Sequence, residues 1–214
     1  MTKSNSVAFA IFVKTPQLSP IKTRLAKDVG QNLALQFYED ALKTISKNLL
    51  KLKKNNPSID IYWAVAESPS AIHDSYWNDF PVLHQSPGDL GVRLHSIYSM
   101  LKIEKNYNRV ILLGADSPQM TLDDYSTWAS IKKNTDTLLG PCIDGGFYCF
   151  IGDIAIPSQV WTAVTYSTNN TLHELKKTLV QSNLSYFELE PSYDIDTAQD
   201  LNQLNKSWRK DEAL

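Results

Sequence analysis

The sequence predicts an α/β fold in which a mostly parallel sheet is covered by helices. Two uninterrupted apolar runs, Val7–Val13 and residues 110–113, have the composition of strands that are buried on both faces. Between them, apolar residues recur every three or four positions over Gln31–Asn55, which is typical of an amphipathic helix. Strands that alternate with helices along the chain favour a parallel sheet.

The remaining elements follow from the same two periodicities and from capping residues. Further strands are predicted at residues 59–66, 81–85, 137–140, 147–151 and 185–189. Further helices are predicted over residues 121–133 with Thr121 as the cap, over residues 169–181, and after the caps Asp89 and Thr197.

The composition is that of a chain with a packed core, since 43% of its 214 residues are hydrophobic and 21% are charged. Without repeats or linkers, we expect one domain over residues 1–214. A net charge of −2 lacks the basic excess of proteins that bind a phosphate backbone, so we expect no nucleic-acid partner.

The longest apolar run, Val7–Val13, is far shorter than a bilayer span. The polar residues before it do not have the architecture of a secretory signal. We therefore expect a cytoplasmic protein without a membrane partner, and the sequence leaves its oligomeric state open.

The first candidate site follows the first strand, where residues 14–25 carry three cations and two prolines. The prolines prevent a regular helix across the segment, so we expect a cationic loop at the end of a buried strand. Lys14, Lys22 and Arg24 would there meet phosphate oxygens. The alternative is a solvated surface loop, but the position directly after the first strand favours phosphate binding.

A second candidate is Asp116, which follows the buried run at residues 110–113. Open α/β sheets bind ligands in the crevice at the C-terminal ends of their strands, where this carboxylate is expected. Pro118 disfavours a helical conformation at Ser117, which leaves Asp116 on a short exposed turn. Asp116 is therefore either a ligand for a metal or metal-bound phosphate, or a cap for the following helix.

The segment from Gly88 to Arg93 opens a predicted helix and carries a second glycine, Gly91. Backbone N–H groups at a helix start can hold an anion, with Arg93 beside them. Asp89 can equally act as a plain N-cap of that helix, and both interpretations remain open.

Three further aspartates complete the candidates. Asp144 precedes Gly145 and Gly146, which fits either a close backbone approach to a ligand or a plain Asp-Gly hairpin turn. Asp194 and Asp196 alternate in an extended segment, so their side chains project to the same side and together could bind a hard cation.

Several of these segments, taken together and in order, resemble one family. The similarity is to a bacterial family related to 2-phospho-lactate guanylyltransferase and often labelled a glycosyltransferase, within the nucleotide-diphospho-sugar transferase (GT-A) superfamily. It spans nearly the whole chain and is specific at the level of the superfamily. The matching segments are Phe12-Val-Lys-Thr-Pro16 with Ile21-Lys-Thr-Arg-Leu25, Gly88-Asp-Leu-Gly91 with Arg93, Leu113-Gly-Ala-Asp-Ser-Pro118, Gly140-Pro141 with Asp144-Gly-Gly-Phe-Tyr148, and Asp194-Ile-Asp-Thr197 with Asp200-Leu201.

The resemblance implies a three-layer α/β/α sandwich that binds a nucleotide and a metal. It implies Mg²⁺ or Mn²⁺ on Asp116, with Asp194 or Asp196 as a second ligand. The nucleotide-binding residues that it implies are Lys14, Lys22, Arg24, Gly88, Asp89, Gly91 and Arg93.

The resemblance also implies catalytic and acceptor-binding residues. It implies that Lys22, Asp116 and Asp144 take part in catalysis. It further implies that Asp144, Gly145 and Gly146 face the acceptor or the sugar.

Two positions depart from the family's pattern. Ser19-Pro20 stands where a glycine often precedes the Lys-Thr-Arg-Leu segment, which bears on how the loop approaches phosphate. Tyr166 begins a Tyr-Ser-Thr segment where relatives have Trp-Ser-Thr, which bears on the acceptor pocket.

These observations support three functions. Glycosyl transfer from a nucleotide sugar to a small-molecule acceptor, with a nucleoside diphosphate leaving, follows from the family's label and is our leading expectation. Nucleotidyl transfer, in which an acceptor phosphate attacks the α-phosphorus of a nucleoside triphosphate, is favoured by the lone Asp116 and the Lys-Thr-Arg loop. A nucleotide-binding domain without turnover is the third, and the four candidate acids argue against it.

Overall fold

The computed structural model describes residues 6–71 and 76–211, with side chains for residues 6–71 and 76–204. The expectation about a secretory signal concerns residues 1–6, of which residues 1–5 lie outside the described residues. The strands are β1 Val7–Val13, β2 Ile59–Val65, β3 Val82–His84, β4 Arg109–Gly114, β5 Thr137–Pro141, β6 Phe147–Gly152 and β7 Tyr186–Glu188. The α-helices are α1 Thr23–Val29, α2 Gln31–Asn55, α3 Leu90–Ser99, α4 Leu122–Ser130, α5 Ser158–Thr162, α6 Thr171–Gln181 and α7 Ala198–Asp211.

The strands form one sheet in the order β3-β2-β1-β4-β6-β5-β7. Neighbouring strands are parallel except at β6, which runs antiparallel to β4 and β5. Val7 at the start of β1 lies opposite Ile59 of β2 and Arg109 of β4, so the C-terminal ends of these strands share one edge. The predicted mostly parallel α/β sheet is confirmed.

Helices cover both faces of the sheet, which gives the expected three layers. On β1, Phe9 and Ile11 pack into the core under α2 and α4. Ala8 and Ala10, on the opposite face, join the core formed with α3, α5 and α6. All four side chains are fully buried. Because both faces of the strand are covered, its sequence is an uninterrupted apolar run rather than an alternating one.

Helix α2 has the bounds that its periodicity predicts, Gln31–Asn55. Its buried positions include Phe37, Ala41 and Ile45, which repeat at four-residue spacing. Ile45 packs into the core with the sheet. Phe37 and Ala41 instead pack against Leu25 of α1. Among the helices of the described residues, none combines the length and the apolar character that crossing a membrane requires.

The start of α4 agrees with the sequence prediction, whereas the start of α1 does not. Thr121 caps α4 in a capping box with Asp124, as expected. In contrast, α1 begins at Thr23, inside the segment that was expected to be a loop throughout. The last proline, Pro20, lies before this start, so residues 23–29 contain nothing that opposes a helix. Helix α5 and the π-helical turn Met100–Glu104 after α3 were also not predicted.

Adjacent leucines of α2 provide a matched test of which face of the helix stabilises the fold. Leu49 is fully buried, whereas Leu50 is 44% exposed. We expect Leu49→Ala to lower the free energy of unfolding by about 3 kcal/mol, because it leaves a cavity in the core. Leu50→Ala makes the same change in helix propensity and should cost less than about 1 kcal/mol. Urea denaturation measures both, and equal losses would contradict the assignment of faces.

Candidate functional site

Two adjoining cavities open at the C-terminal ends of β1 and β4. We call the first, of about 540 Å³, the cationic cavity, because Lys14, Lys22, Arg24 and Arg93 line it. We call the second, of about 520 Å³, the apolar cavity. Its lining includes Leu94, Leu112, Phe147, Tyr148 and Tyr166. The residues that line both cavities are Phe12, Arg24, Leu90, Gly114, Ser167 and Asp196.

The Lys22 ammonium lies at the centre of the site's charged groups. Its Nζ is 2.9 Å from Asp116 Oδ1 and 3.2 Å from Asp196 Oδ1, and it donates to the Ile195 carbonyl at 2.7 Å. The Lys22 side chain is only 4% exposed. Burial alone would lower the pKa of Lys22, but the Asp116 and Asp196 carboxylates outweigh it and raise that pKa. Lys22 is therefore held charged.

Three segments distant in sequence meet at this ammonium. Lys22 precedes α1 with a left-handed backbone, φ 43°, at the helix N-cap. Asp116 follows β4, and its carbonyl accepts from Ile195 N at 3.2 Å. Since an ammonium has three N–H donors, the three partners of Lys22 leave none for a phosphate in this arrangement. Lys22 therefore acts here on the chain's own carboxylates rather than at the phosphate position expected from sequence.

Asp116 does not cap the following helix. That helix, α4, begins at Leu122 and is capped by Thr121, so the capping interpretation of Asp116 is wrong. Asp116 instead lies on a turn between the strand and the helix, and its side chain is 47% exposed. The turn faces the cationic cavity.

Asp194 and Asp196 both reach the cleft but have different partners. Asp194 Oδ1 accepts from the Ser117 hydroxyl at 2.7 Å. Burial, together with the nearby Asp116 carboxylate, raises the pKa of Asp194 to about 6. Asp196 instead pairs with Lys22 and, through Oδ2, with Arg24 Nη1 at 3.3 Å. The charge of Asp196 is thus balanced by the chain itself, whereas Asp194 and Asp116 repel each other.

This arrangement bears on the metal that the fold family implies. Within residues 6–71 and 76–204, no group of three or more histidine, cysteine, aspartate or glutamate side chains could hold an ion. Mg²⁺, however, commonly takes only one or two carboxylates and completes its shell with substrate phosphates and water. Asp116 and Asp194 fit that donor set because each supplies carboxylate oxygens, the ligand class that Mg²⁺ prefers, and both line the cleft.

The other cations of the cationic cavity are more accessible than Lys22. Lys14 is exposed, and the Arg24 side chain on α1 is 66% exposed. Arg93 on α3 donates from Nε to the Gly88 carbonyl at 2.9 Å. These three side chains line the cavity.

The turn before α3 has a mainly structural role. Asp89 caps α3 by accepting from Val92 N at 2.9 Å, which confirms the capping alternative. Gly88, Asp89 and Gly91 line neither cavity. A Cβ on Gly91 would overlap the Trp161 carbonyl, so the glycine allows α3 to pack closely against α5. Of the expected nucleotide-binding turn, only Arg93 and the neighbouring Leu90 reach the cleft.

Asp144 lies in a hairpin turn between β5 and β6, as its local sequence predicts. Cys142 N donates to the Gly146 carbonyl at 3.0 Å, and Asp144 Oδ1 accepts from Gly146 N at 2.9 Å. A Cβ on Gly145, whose φ is 90°, would overlap the Asn169 carbonyl. Gly145 therefore allows two loops to approach each other, while Asp144 and Gly146 line the apolar cavity.

Sequence reasoning missed most of the apolar cavity. Leu94 and Leu112 lie on a helix and a strand whose apolar residues are expected in the core, so nothing marked them as lining a site. The sequence distinguishes Tyr166 only as a departure from the family's pattern. Ser167, next to it, has a left-handed backbone with φ 61° and lines both cavities. An unusual φ is not visible in sequence.

We predict that the ion pairs of Lys22 stabilise the fold. Lys22→Met keeps the length of the side chain but leaves Asp116 and Asp196 without their shared ammonium. We expect a loss of about 2 kcal/mol in the free energy of unfolding, less than for a fully buried pair because both carboxylates keep contact with water. Urea denaturation checks this, with Lys27→Met on the exposed face of α1 as the control. Equal unfolding midpoints for the two variants would contradict the prediction.

The solved structures similar to this one share its fold. A provisionally named nucleotide-diphospho-sugar transferase from Desulfovibrio desulfuricans aligns with a TM-score of 0.84 at 22% identity, over 97% of this chain and 88% of that one. A nucleotidyl transferase from Methanothermobacter aligns with a TM-score of 0.60 at 10% identity, over 97% and 99% of the two chains. The 4-diphosphocytidyl-2C-methyl-D-erythritol synthase of Anaerococcus prevotii aligns at 0.57 and 10% identity, over 96% and 100%.

These alignments confirm the expected nucleotide-diphospho-sugar transferase fold. No curated protein matches the sequence. A family model described as "Uncharacterized protein conserved in bacteria (DUF2064)" matches residues 50–168, which is more than half of the chain and includes both Asp116 and Asp144. The chain therefore belongs to the DUF2064 family.

Proposed function

We propose that the protein is a metal-dependent transferase that uses a nucleotide substrate, and that it transfers a glycosyl group from a nucleoside-diphosphate sugar to a small acceptor. The observation that carries the proposal is that two cavities of different chemistry adjoin, with aspartates among the residues that line them. The cationic cavity suits a diphosphate, and the apolar cavity beside it suits a substrate without phosphate. Asp194 lines the apolar cavity, Asp116 lines the cationic one, and Asp196 lines both.

The nucleotide's phosphates would bind in the cationic cavity. Lys14, Arg24 and Arg93 line it and are accessible, so they are our phosphate-binding residues. Arginine offers a planar fork of donors to phosphate oxygens, whereas lysine offers a mobile point charge. The position also agrees with the general placement of ligands at the C-terminal ends of parallel strands.

Asp116 and Asp194 would hold the metal, either Mg²⁺ or Mn²⁺. A bound divalent ion would neutralise charge on the leaving diphosphate. Lys22 would keep Asp116 in position through its ion pair, and Asp196 would hold both Lys22 and Arg24. We therefore propose Asp194 rather than Asp196 as the second ligand.

Asp144 would act on the acceptor. It lines the apolar cavity from the hairpin turn, and its Oδ1 is fixed by Gly146 N. In the proposed step, the acceptor hydroxyl oxygen forms a bond to the anomeric carbon and the bond from that carbon to the diphosphate oxygen breaks. The hydroxyl proton passes to the Asp144 carboxylate.

Nucleotidyl transfer is a second candidate, favoured by one specific observation. Asp116 is followed by Ser117 and Pro118 and preceded by Gly114 and Ala115, so no second acid stands two residues from it. A paired Asp-x-Asp is therefore absent from this turn, although glycosyl-transferring relatives commonly have it. The two candidates release different products, which makes them separable.

We predict that Asp116→Ala abolishes metal-dependent nucleotide binding while the protein remains folded. The variant removes the exposed metal ligand on the turn after β4. A nucleoside diphosphate at about 100 times its Kd with Mg²⁺ should add roughly 2.7 kcal/mol to the stability of the native protein, and nothing to that of the variant. Thermal denaturation with and without Mg²⁺ measures this. Asp123→Ala, which removes an exposed acid in the first turn of α4, is the matched control.

Persistence of the Mg²⁺-dependent shift in Asp116→Ala would remove Asp116 from the metal site. Absence of any shift in the native protein with nucleoside diphosphates, triphosphates and nucleotide sugars would overturn the nucleotide-binding function as a whole.

We predict that the protein slowly hydrolyses nucleotide sugars when no acceptor is present. Water then takes the place of the acceptor, and a nucleoside diphosphate is released. Chromatography of incubations with Mg²⁺ and a panel of nucleotide sugars measures that release. Pyrophosphate from nucleoside triphosphates with phosphorylated acceptors would instead establish nucleotidyl transfer. Binding of nucleotides with neither product would favour a domain without turnover.

A further inference from the structure

Leucine, phenylalanine and tyrosine side chains supply much of the wall of the apolar cavity, beside the polar residues Ser167 and Asn169 and three aspartates. Leu94 of α3 and Leu112 of β4 are both buried and line its interior. Phe147, at the start of β6, and Tyr166 add aromatic surface. The volume of about 520 Å³ lies in the range of sites that take drug-sized organic ligands. The cavity can therefore accommodate an apolar body of one or two rings.

The tyrosines that line this cavity direct their hydroxyl hydrogens away from any ligand. Tyr148 donates to the Glu190 carbonyl at 3.0 Å. Tyr166 donates to the Trp161 carbonyl at 2.9 Å. Both bonds are made to the backbone and hold the rings in place, so each ring presents carbon surface to a ligand and keeps no free O–H donor.

The threonines of the neighbouring loop are satisfied in the same way. Thr171 Oγ1 lies 3.0 Å from the Thr165 carbonyl and 2.9 Å from the Thr168 carbonyl. Thr168 Oγ1 donates to the Thr165 carbonyl at 3.4 Å. These residues line the cavity without a hydroxyl hydrogen to offer to a ligand.

The charges of the cavity also restrict its ligand. Asp144, Asp194 and Asp196 line it together with one cation, Arg24. Asp196 is paired with Lys22 and Arg24, and Asp194 is the proposed metal ligand, which leaves the Asp144 carboxylate to face the acceptor. A phosphate or carboxylate on the acceptor would meet that like charge, which opposes binding. The cationic cavity next to it carries the opposite balance, with four cations.

Building on the proposed function, we propose that the acceptor is an uncharged alcohol with an apolar, ring-containing body, and that it carries no phosphate. The body lies against Phe147 and Tyr166 over Leu94 and Leu112. Its hydroxyl reaches Asp144, which lines the apolar cavity and takes up the proton in the transfer step described above. Phe147 is thus a specificity-determining residue, because its ring belongs to the apolar wall that contacts the body of the acceptor.

A matched pair of small probes tests the class of acceptor directly. 2-Phenylethanol and 2-phenylethyl phosphate share the same ring and differ in the charge of the phosphate. Saturation-transfer NMR on the full chain reports ring contact for each. The Phe147-dependent signal is the part of a probe's signal that is lost in Phe147→Ala. We expect the alcohol to give such a signal, and we expect that of the ester to be about fivefold or more weaker.

Two truncations of phenylalanine assign the signal to the cavity. Phe147→Ala should weaken binding of the alcohol by about fivefold to tenfold, because it removes aromatic contact surface. Phe187→Ala is the matched control: Phe187 is 40% exposed on the edge strand β7 and does not line the cavity. Circular dichroism verifies that both variants fold. Equal alcohol signals in the two variants would overturn the proposal.

Asp144→Asn tests whether the negative charge of Asp144 weakens binding of the phosphate ester. The substitution removes one negative charge and preserves the shape of the side chain. We expect the Phe147-dependent ester signal to rise by about threefold or more relative to the alcohol signal of the same variant. An ester that binds the native apolar cavity as strongly as the alcohol would overturn the proposal.

Nucleotide binding, measured separately by calorimetry with Mg²⁺, distinguishes a failure here from a failure of the proposed function. Alcohol binding that depends on Phe147, without any nucleotide binding, would support the apolar binding site and contradict the proposed transferase function. Nucleotide binding without Phe147-dependent alcohol binding would contradict the proposed acceptor site and leave the nucleotide-binding function supported.

Discussion

The candidate site depends on one buried ammonium. Lys22 brings together the segment after β1, the turn after β4 and the segment before α7, because Asp116, Asp196 and the Ile195 carbonyl all contact its Nζ. Without it, two carboxylates at the end of a strand would repel each other at close range. The ion pairs thus fix Asp116 beside the cationic cavity, where we propose that it meets a metal and phosphates.

The sheet topology explains why the cleft has two kinds of wall. The parallel strands β1 and β4 end at one edge, where their following loops deliver the cations and Asp116. Strand β6 runs the other way, so the hairpin before it brings Asp144 and Phe147 to the same edge. Helix α3 contributes Arg93 to the cationic cavity and Leu94 to the apolar one. The walls of the two cavities therefore differ in charge.

Two glycines of the recognisable segments serve packing rather than ligand contact. Gly91 allows α3 to approach the Trp161 carbonyl, and Gly145 allows the hairpin to approach the Asn169 carbonyl. Both contacts position the walls of the apolar cavity, since α3 carries Leu94 and the loop at Asn169 follows Tyr166. A glycine needed for the close approach of two chain segments has the same sequence signature as one needed for the close approach of a ligand.

The sequence alone determined the fold class, the bounds of α2 and the cap Thr121, because local periodicity and capping chemistry act between residues close in the chain. It also pointed to Asp116 as a residue of the strand-end crevice. Only the tertiary structure decided that Lys22 binds Asp116 and Asp196, which lie far from it in sequence. The same holds for Leu112, whose place in a cavity rather than in the closed core depends on which helices leave a gap above it. Contacts of this kind depend on the relative placement of whole elements, which residue patterns do not encode.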